Sequence, residues 1–152
     1  MKKKPSAWKR FSQQFLTLDD TPHRIAAGAA TGLFMGILPI ESIFSSFFVT
    51  SIFHLNHAAA LVSVAITNIW AMIATLPLAA AVGGNLFGTS SEELTNQFHL
   101  AYQGGIGYFF TEASFYNLTL PLLVGYAVVS ALISFAFYCG LYIILKRSRL
   151  RL

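Results

Sequence analysis

Apolar runs alternate along the chain with the prolines, asparagines and glycines that interrupt them, and the runs have helical rather than strand spacing. In Ala7 to Leu18, Trp8, Phe11, Phe15 and Leu18 form one stripe, while Lys9, Arg10, Gln13 and Gln14 fall off it. That pattern predicts an amphipathic helix lying in a membrane interface. Asp19, Asp20, Thr21 and Pro22 then supply a side-chain cap and a proline at the first helical position, the chemistry of a helix start. The helix beginning there is stopped by Pro39, so its apolar part from Ile25 spans about 14 residues, roughly 21 Å. A second apolar piece, from about Glu41 to Leu55, ends at Asn56 and His57. Neither reaches across a hydrocarbon core of about 30 Å. Two undersized helices joined through Leu38, Pro39 and Ile40 predict a re-entrant hairpin, which enters the bilayer, breaks and returns to the same face. Backbone broken at that depth needs cover from protein, because unpaired amides in lipid cost several kcal/mol.

The third apolar stretch, Ala58 to Val82, is long enough to span with tilt. Asn68 in its middle and Pro77 beyond leave a broken span, or a second helical pair, as the alternative; Gly83, Gly84 and Asn85 are expected to end it. From Gly88 to Asn117 the chain turns polar and carries Glu92, Glu93 and Glu112 without one basic residue, as expected of an external loop with aromatic patches at the interface. Leu118 to Leu145 has no charge at all and reads as a transmembrane helix. The expected architecture is an all-α integral membrane protein in four segments: a basic interfacial segment over 1–20, a membrane core of hairpin plus span over 21–88, a polar extracytoplasmic loop over 89–117, and a transmembrane helix with a basic tail over 118–152. Two complete crossings fit the short first pieces, and four would satisfy the same parity.

Composition sharpens this picture. Of 152 residues 55% are hydrophobic and only 11% charged, where a soluble domain carries about a quarter; the mean hydropathy is +0.62. A water-soluble enzyme is therefore not expected. Basic residues open the chain through Arg24 and close it from Lys146, with none between Ile25 and Leu145. Basic residues beside membrane-crossing segments stay cytoplasmic, so both termini are expected on that side, with Lys9, Arg10 and Arg24 touching anionic headgroups. A nucleic-acid partner is not expected, because no stacking aromatics are interleaved with phosphate-binding charges. The lone Cys139 makes no internal disulfide and has no ligand spacing around it. His54 and His57 are three apart but lack a third ligand, so no metal and no cofactor is expected.

Several residues stand out chemically. Gly28, Gly32 and Gly36 form a smooth stripe on the first helix, suited to close helix packing, within the chain or across a dimer, or to a gliding surface. Glu41 is the one acid within the apolar middle away from the loop. It reads either as a cap at the positive end of the second helix or as a site for a proton or cation. Asn68, with Ser63 and Thr67, forms a polar cluster suited to interhelical hydrogen bonds or to substrate contact. Glu41, Asn68, Thr67, Ser63 and the broken backbone at Pro39 are the candidate site residues. No Ser/His/Asp arrangement, phosphate loop or carboxylate pair is visible, so no catalytic residue and no enzyme activity is expected.

The stretch TPHRIAAGAATGLFMGILPIE, Thr21 to Glu41, followed by HLN and TNIWAMIATLPLAAAVGGNLFG, resembles the bacterial family DUF2062. Pro22, Arg24, Gly28, Gly32, Gly36, Pro39, Asn56, Asn68 and Pro77 carry the resemblance, and Ile69 departs from it where the family usually has proline. The resemblance covers about Asp20 to Gly88, more loosely the last helix. It implies a small multi-pass protein of the bacterial inner membrane without an established activity. Some relatives are joined to a glycosyltransferase, which implies envelope glycan or lipid-carrier work. Two functions are carried forward: a transporter- or flippase-like protein with its site at the hairpin, and a non-transporting assembly or anchor subunit for an envelope-biosynthesis partner. A homo-oligomer is expected in either case, because so few helices cannot alone shield a broken hairpin.

Overall fold

Thr21 and Pro22 start the first helix as their chemistry requires. In the computed structural model, which describes residues 20–149 apart from the side chains of Asn68, Ile69, Ile106, Ala113 and Arg149, α1 spans Pro22–Ile37. The Thr21 hydroxyl accepts from the Arg24 N–H at 3.3 Å. The amphipathic segment expected over 1–20, with Lys9 and Arg10, lies outside the described residues save for Asp20. Pro39 stops α1 by steric conflict with the residue before it: Leu38 leaves the helical region with ψ 142°. The chain reverses, and α2 runs over Ser42–Ile52. His54, at φ 50°, turns it again, and α3 spans His57–Phe87.

Asn56 joins these pieces. Its Oδ1 accepts from the Ala59 N–H at 2.8 Å and caps α3. Its backbone N–H donates to the Arg24 carbonyl at 3.2 Å, and its Nδ2 donates to Asp20 Oδ2 at 3.0 Å. The end of α2 therefore lies beside the start of α1, and α1 and α2 form a helical hairpin with both ends at one level. Arg24 also pairs with Asp20 at 3.0 Å.

α3 is longer than the run of apolar residues predicts. Its 31 residues measure about 46 Å, and it continues through Asn68 and Pro77 without a break. Proline removes one amide hydrogen bond, and here the helix is held by packing along its length. Gly83 and Gly84 do not end it. They lie buried inside it, at close approaches to the Pro121 and Thr89 carbonyls respectively, and the stop is Gly88 in the left-handed region at φ 73°.

The polar stretch expected as a loop is mostly helical. Ser90 caps α4 (Ser91–Gly104), its hydroxyl accepting from the Glu93 N–H at 3.1 Å, with Glu92 and Glu93 in the first turn, where the helix dipole favours carboxylates. Leu94 and Ala101 are fully buried in the core beside Leu118, Leu122 and Tyr126. These two, with Phe98 between them packed against the same core, form one apolar stripe on the helix, which is why the segment folds onto α3. A 3₁₀ turn at Ile106–Phe110, one turn at Glu112–Ser114 and a π-helical turn at Phe115–Thr119 lead into α5, Leu120–Arg149.

The three principal helices meet through small residues. Along α1 a Cβ added at Gly28 would strike the Asn56 carbonyl, at Gly32 the Ala60 carbonyl, and at Gly36 the Thr67 side chain. The numbers rise together, so α1 and α3 run parallel with backbones nearly touching. α5 is antiparallel to α3: Gly125 lies against the Ala79 carbonyl, and Tyr126 donates to the Met72 carbonyl at 2.9 Å. Further along, Leu141 and Leu145 pack on Ile25, Ala29 and Ala59, and His23 meets Tyr138 at 2.9 Å. Asp20, Arg24, Lys146 and Arg147 consequently gather at one end, with Glu92 and Glu93 at the other.

Apolar side chains cover the outside of the bundle as well as filling its core. Ser46, Thr50, Ser63, Ser130 and Ser134 are buried, whereas Phe44 is 78% exposed and Ile66 and Trp70 each 77%. Two helical stretches among the described residues, Trp70–Phe87 and Phe115–Ser148, are long and apolar enough to cross a membrane. Those described residues are all-helical in their regular structure.

Candidate functional site at the hairpin tip

The reversal at Leu38–Glu41 does not close against the rest of the bundle. Between it and α3, α4, the turns before α5 and α5 itself lies a cavity of about 690 Å³, within the size range of small-molecule sites. Gly36, Leu38, Pro39, Ile40, Glu41 and Ser42 form its hairpin wall, and Met72 comes from α3. The facing wall is aromatic: Phe98 and Tyr102 from α4, Phe109 and Phe110 from the 3₁₀ turn, Phe115 from the π turn and Tyr126 from α5.

Local chemistry holds each wall. On the hairpin side, Glu41 caps α2: Oε1 accepts from the Ile43 N–H at 2.8 Å, and Oε2 from the Phe44 N–H at 2.8 Å and the Ser45 N–H at 3.4 Å. The same residue is exposed and lines the cavity, so it stabilises the helix start and charges the wall at once. Opposite, the Phe98 ring stacks on Tyr102 at 6.3 Å and meets Phe109 at 5.9 Å. Thr119 donates to the Phe109 carbonyl at 2.9 Å, tying the π turn to the 3₁₀ turn. A π turn opens one extra residue in the ladder and shifts the side chains that follow; here it brings Phe115 and Thr119 to the same wall.

The residues singled out in the sequence divide. Glu41 and Pro39 sit in the cavity wall. Ser63 is buried on α3, and Thr67 donates to its carbonyl at 2.7 Å; neither lines the cavity, although Thr67 lies directly behind Gly36. Asn68 is on α3 one residue beyond, with its side chain outside the described set. Arg24 sits at the opposite end of α1, in its ion pair with Asp20. His54 is exposed, while His57 Nδ1 lies 2.7 Å from the Thr50 hydroxyl, joining α2 to α3. Among the described residues no group of three His, Cys, Asp or Glu side chains could hold a metal ion. The aromatics expected as interfacial patches of a loop instead form a cavity wall and are not among the candidate site residues read from the sequence; their signal is the density of Phe and Tyr between Phe98 and Tyr116.

No curated protein and no solved structure matches the chain. The family model described as an uncharacterised protein conserved in bacteria, DUF2062, matches residues 6–151, extending through α4 and α5 well past the segment whose motifs carry the resemblance. The chain belongs to the DUF2062 family of bacterial proteins.

Proposed function

We propose that the chain is a transporter- or flippase-like protein of the bacterial inner membrane that takes an amphiphilic small molecule into the cavity at the hairpin tip. The observation that carries this is the hairpin's closure on itself. By Asn56 the chain has returned to Arg24, so the open end of the hairpin lies with Lys146 and Arg147, and its tip faces a mostly apolar chamber. Basic ends stay cytoplasmic; the hairpin is then re-entrant, α3 and α5 are the two crossings, and α4 with the turns after it forms a cap on the outer side. Backbone broken at Leu38–Glu41 is tolerated at depth because it is capped by Glu41 and lines a cavity. The phenylalanines of α2 and the apolar outer faces of α3 and α5 meet lipid or a second copy of the chain.

Cysteine labelling in cells, on a Cys139→Ser background, tests this placement. His57→Cys and Ser148→Cys react only from the cytoplasm, Thr95→Cys only from outside, and Ile40→Cys reacts faster with an apolar maleimide than with a membrane-impermeant one. Labelling of position 57 from outside removes the re-entrant hairpin. A second reading, an anchor subunit for an envelope-biosynthesis partner, draws on one specific feature: Phe44, Phe47, Phe48 and Phe53 form an exposed aromatic face on and just beyond α2. That reading expects a partner that stays bound when Glu41 is neutralised and is lost when Phe44 and Phe48 become alanine.

A further inference from the structure

We infer that the occupant of the cavity is a lipophilic organic cation, a body of apolar or aromatic groups bearing a quaternary or protonated centre. The inference rests on the cavity being a binding site and adds the sign of the ligand's charge. Among the described residues, Glu41 is the one ionisable acid or base in the lining apart from tyrosine. The N-terminus of α2 offsets about half an elementary charge, so roughly half of the carboxylate's charge remains uncompensated at the wall. A carboxylate has about four acceptor positions, and three amides use part of that capacity.

The rest of the lining favours the same sign. Phe98, Tyr102, Phe109, Phe110, Phe115 and Tyr126 line one chamber, and aromatic rings attract cations. No lysine or arginine occurs from Ile25 to Leu145, so no basic side chain of this stretch can neutralise a phosphate or carboxylate held there. Burying such a group without a partner is disfavoured. A neutral amphiphile would gain the apolar contact but leave the Glu41 charge without a counter-charge.

The test uses the purified full chain in detergent micelles with two ligands of nearly equal shape and opposite charge, tetraphenylphosphonium and tetraphenylborate. The phosphonium binds saturably, one per chain, and the borate shows only unsaturable partition into the micelle. Glu41→Gln, which keeps one capping oxygen, weakens phosphonium binding at least tenfold. Tyr102→Ala, at a side chain 69% exposed and hence separable from folding, weakens it several-fold. Saturable borate binding as tight as that of the phosphonium, sensitive to Tyr102→Ala, overturns the assigned charge and leaves the cavity as a site. Unchanged phosphonium affinity in a folded Glu41→Gln protein overturns the assignment to this carboxylate; should that variant not fold, unchanged affinity in Tyr102→Ala overturns the cavity's part in binding. Saturable binding of neither ion overturns the cation proposal, and the labelling of Ile40→Cys then decides separately whether the cavity is buried and apolar as the function requires.

Discussion

Gly32→Ala is the sharpest test of how this bundle is held together. An ideal Cβ at that position would lie 2.7 Å from the Ala60 carbonyl carbon and 2.8 Å from its Cα, with the carbonyl oxygen closer still. Carbon atoms rest at about 3.5–4.0 Å, so α1 and α3 must part by roughly 1 Å. Backbone cannot turn aside as a side chain can. A gap of that size forfeits between a quarter and a half of the dispersion energy of every pair it opens, and overpacking of this kind costs about 1–3 kcal/mol or more. With backbone as the obstacle the cost stands at the upper end of that range, and since replacing a helical glycine by alanine itself gains about 0.5–1 kcal/mol, a net loss of about 2 kcal/mol is left. For a chain near this length that lowers the melting temperature by roughly 4–8 °C. Gly140→Ala is the internal control: it lies on α5 with no atom of the described residues within 4 Å of the added Cβ, and should be neutral or raise the melting temperature slightly. Both are read by thermal unfolding of the purified protein in one detergent. A Gly32→Ala protein as stable as the parent, beside a well-behaved Gly140→Ala control, would refute backbone contact between α1 and α3.

Two further substitutions probe the hydrogen bonds that fix the hairpin and the cavity. Asn56→Ala removes the α3 cap and the bond to Asp20 together, and should cost about 2 kcal/mol, the upper end for a lost cap, with hydrogen exchange rising first at the start of α3. Tyr126→Phe removes one donor from the Met72 carbonyl, which Thr75 also reaches at 3.2 Å; the expected loss is therefore small, about 0.5–1 kcal/mol, and a melting temperature lowered by more than about 6 °C would show that the tyrosine does more than bridge α3 and α5.

What could be read from the residues alone was governed by local chemistry and by charge. The Thr21–Pro22 start, the stop before Pro39 and the capping role open to Glu41 depend on hydrogen bonds and steric contacts within a few residues, so the order of letters contains them. All lysines and arginines fall in the two terminal stretches, and among the described residues folding brings Arg24 and Lys146 to the same end of the bundle. The rest depended on which distant surfaces could touch. Asn68 and Pro77 resemble breaks in isolation, yet α3 stays whole because the packing of α1 and α5 along it outweighs the one amide bond a proline removes. Gly83 and Gly84 resemble a terminus, yet they are buried at close approaches to other carbonyls. The segment after Gly88 looks like a loop by polarity, and only the burial of Leu94 and Ala101 in a core completed by α5 makes it a helix. The cavity is the extreme case: it is the space left where a hairpin tip, α4 and two irregular turns fail to fill one another, and an unfilled volume belongs to no single stretch of chain.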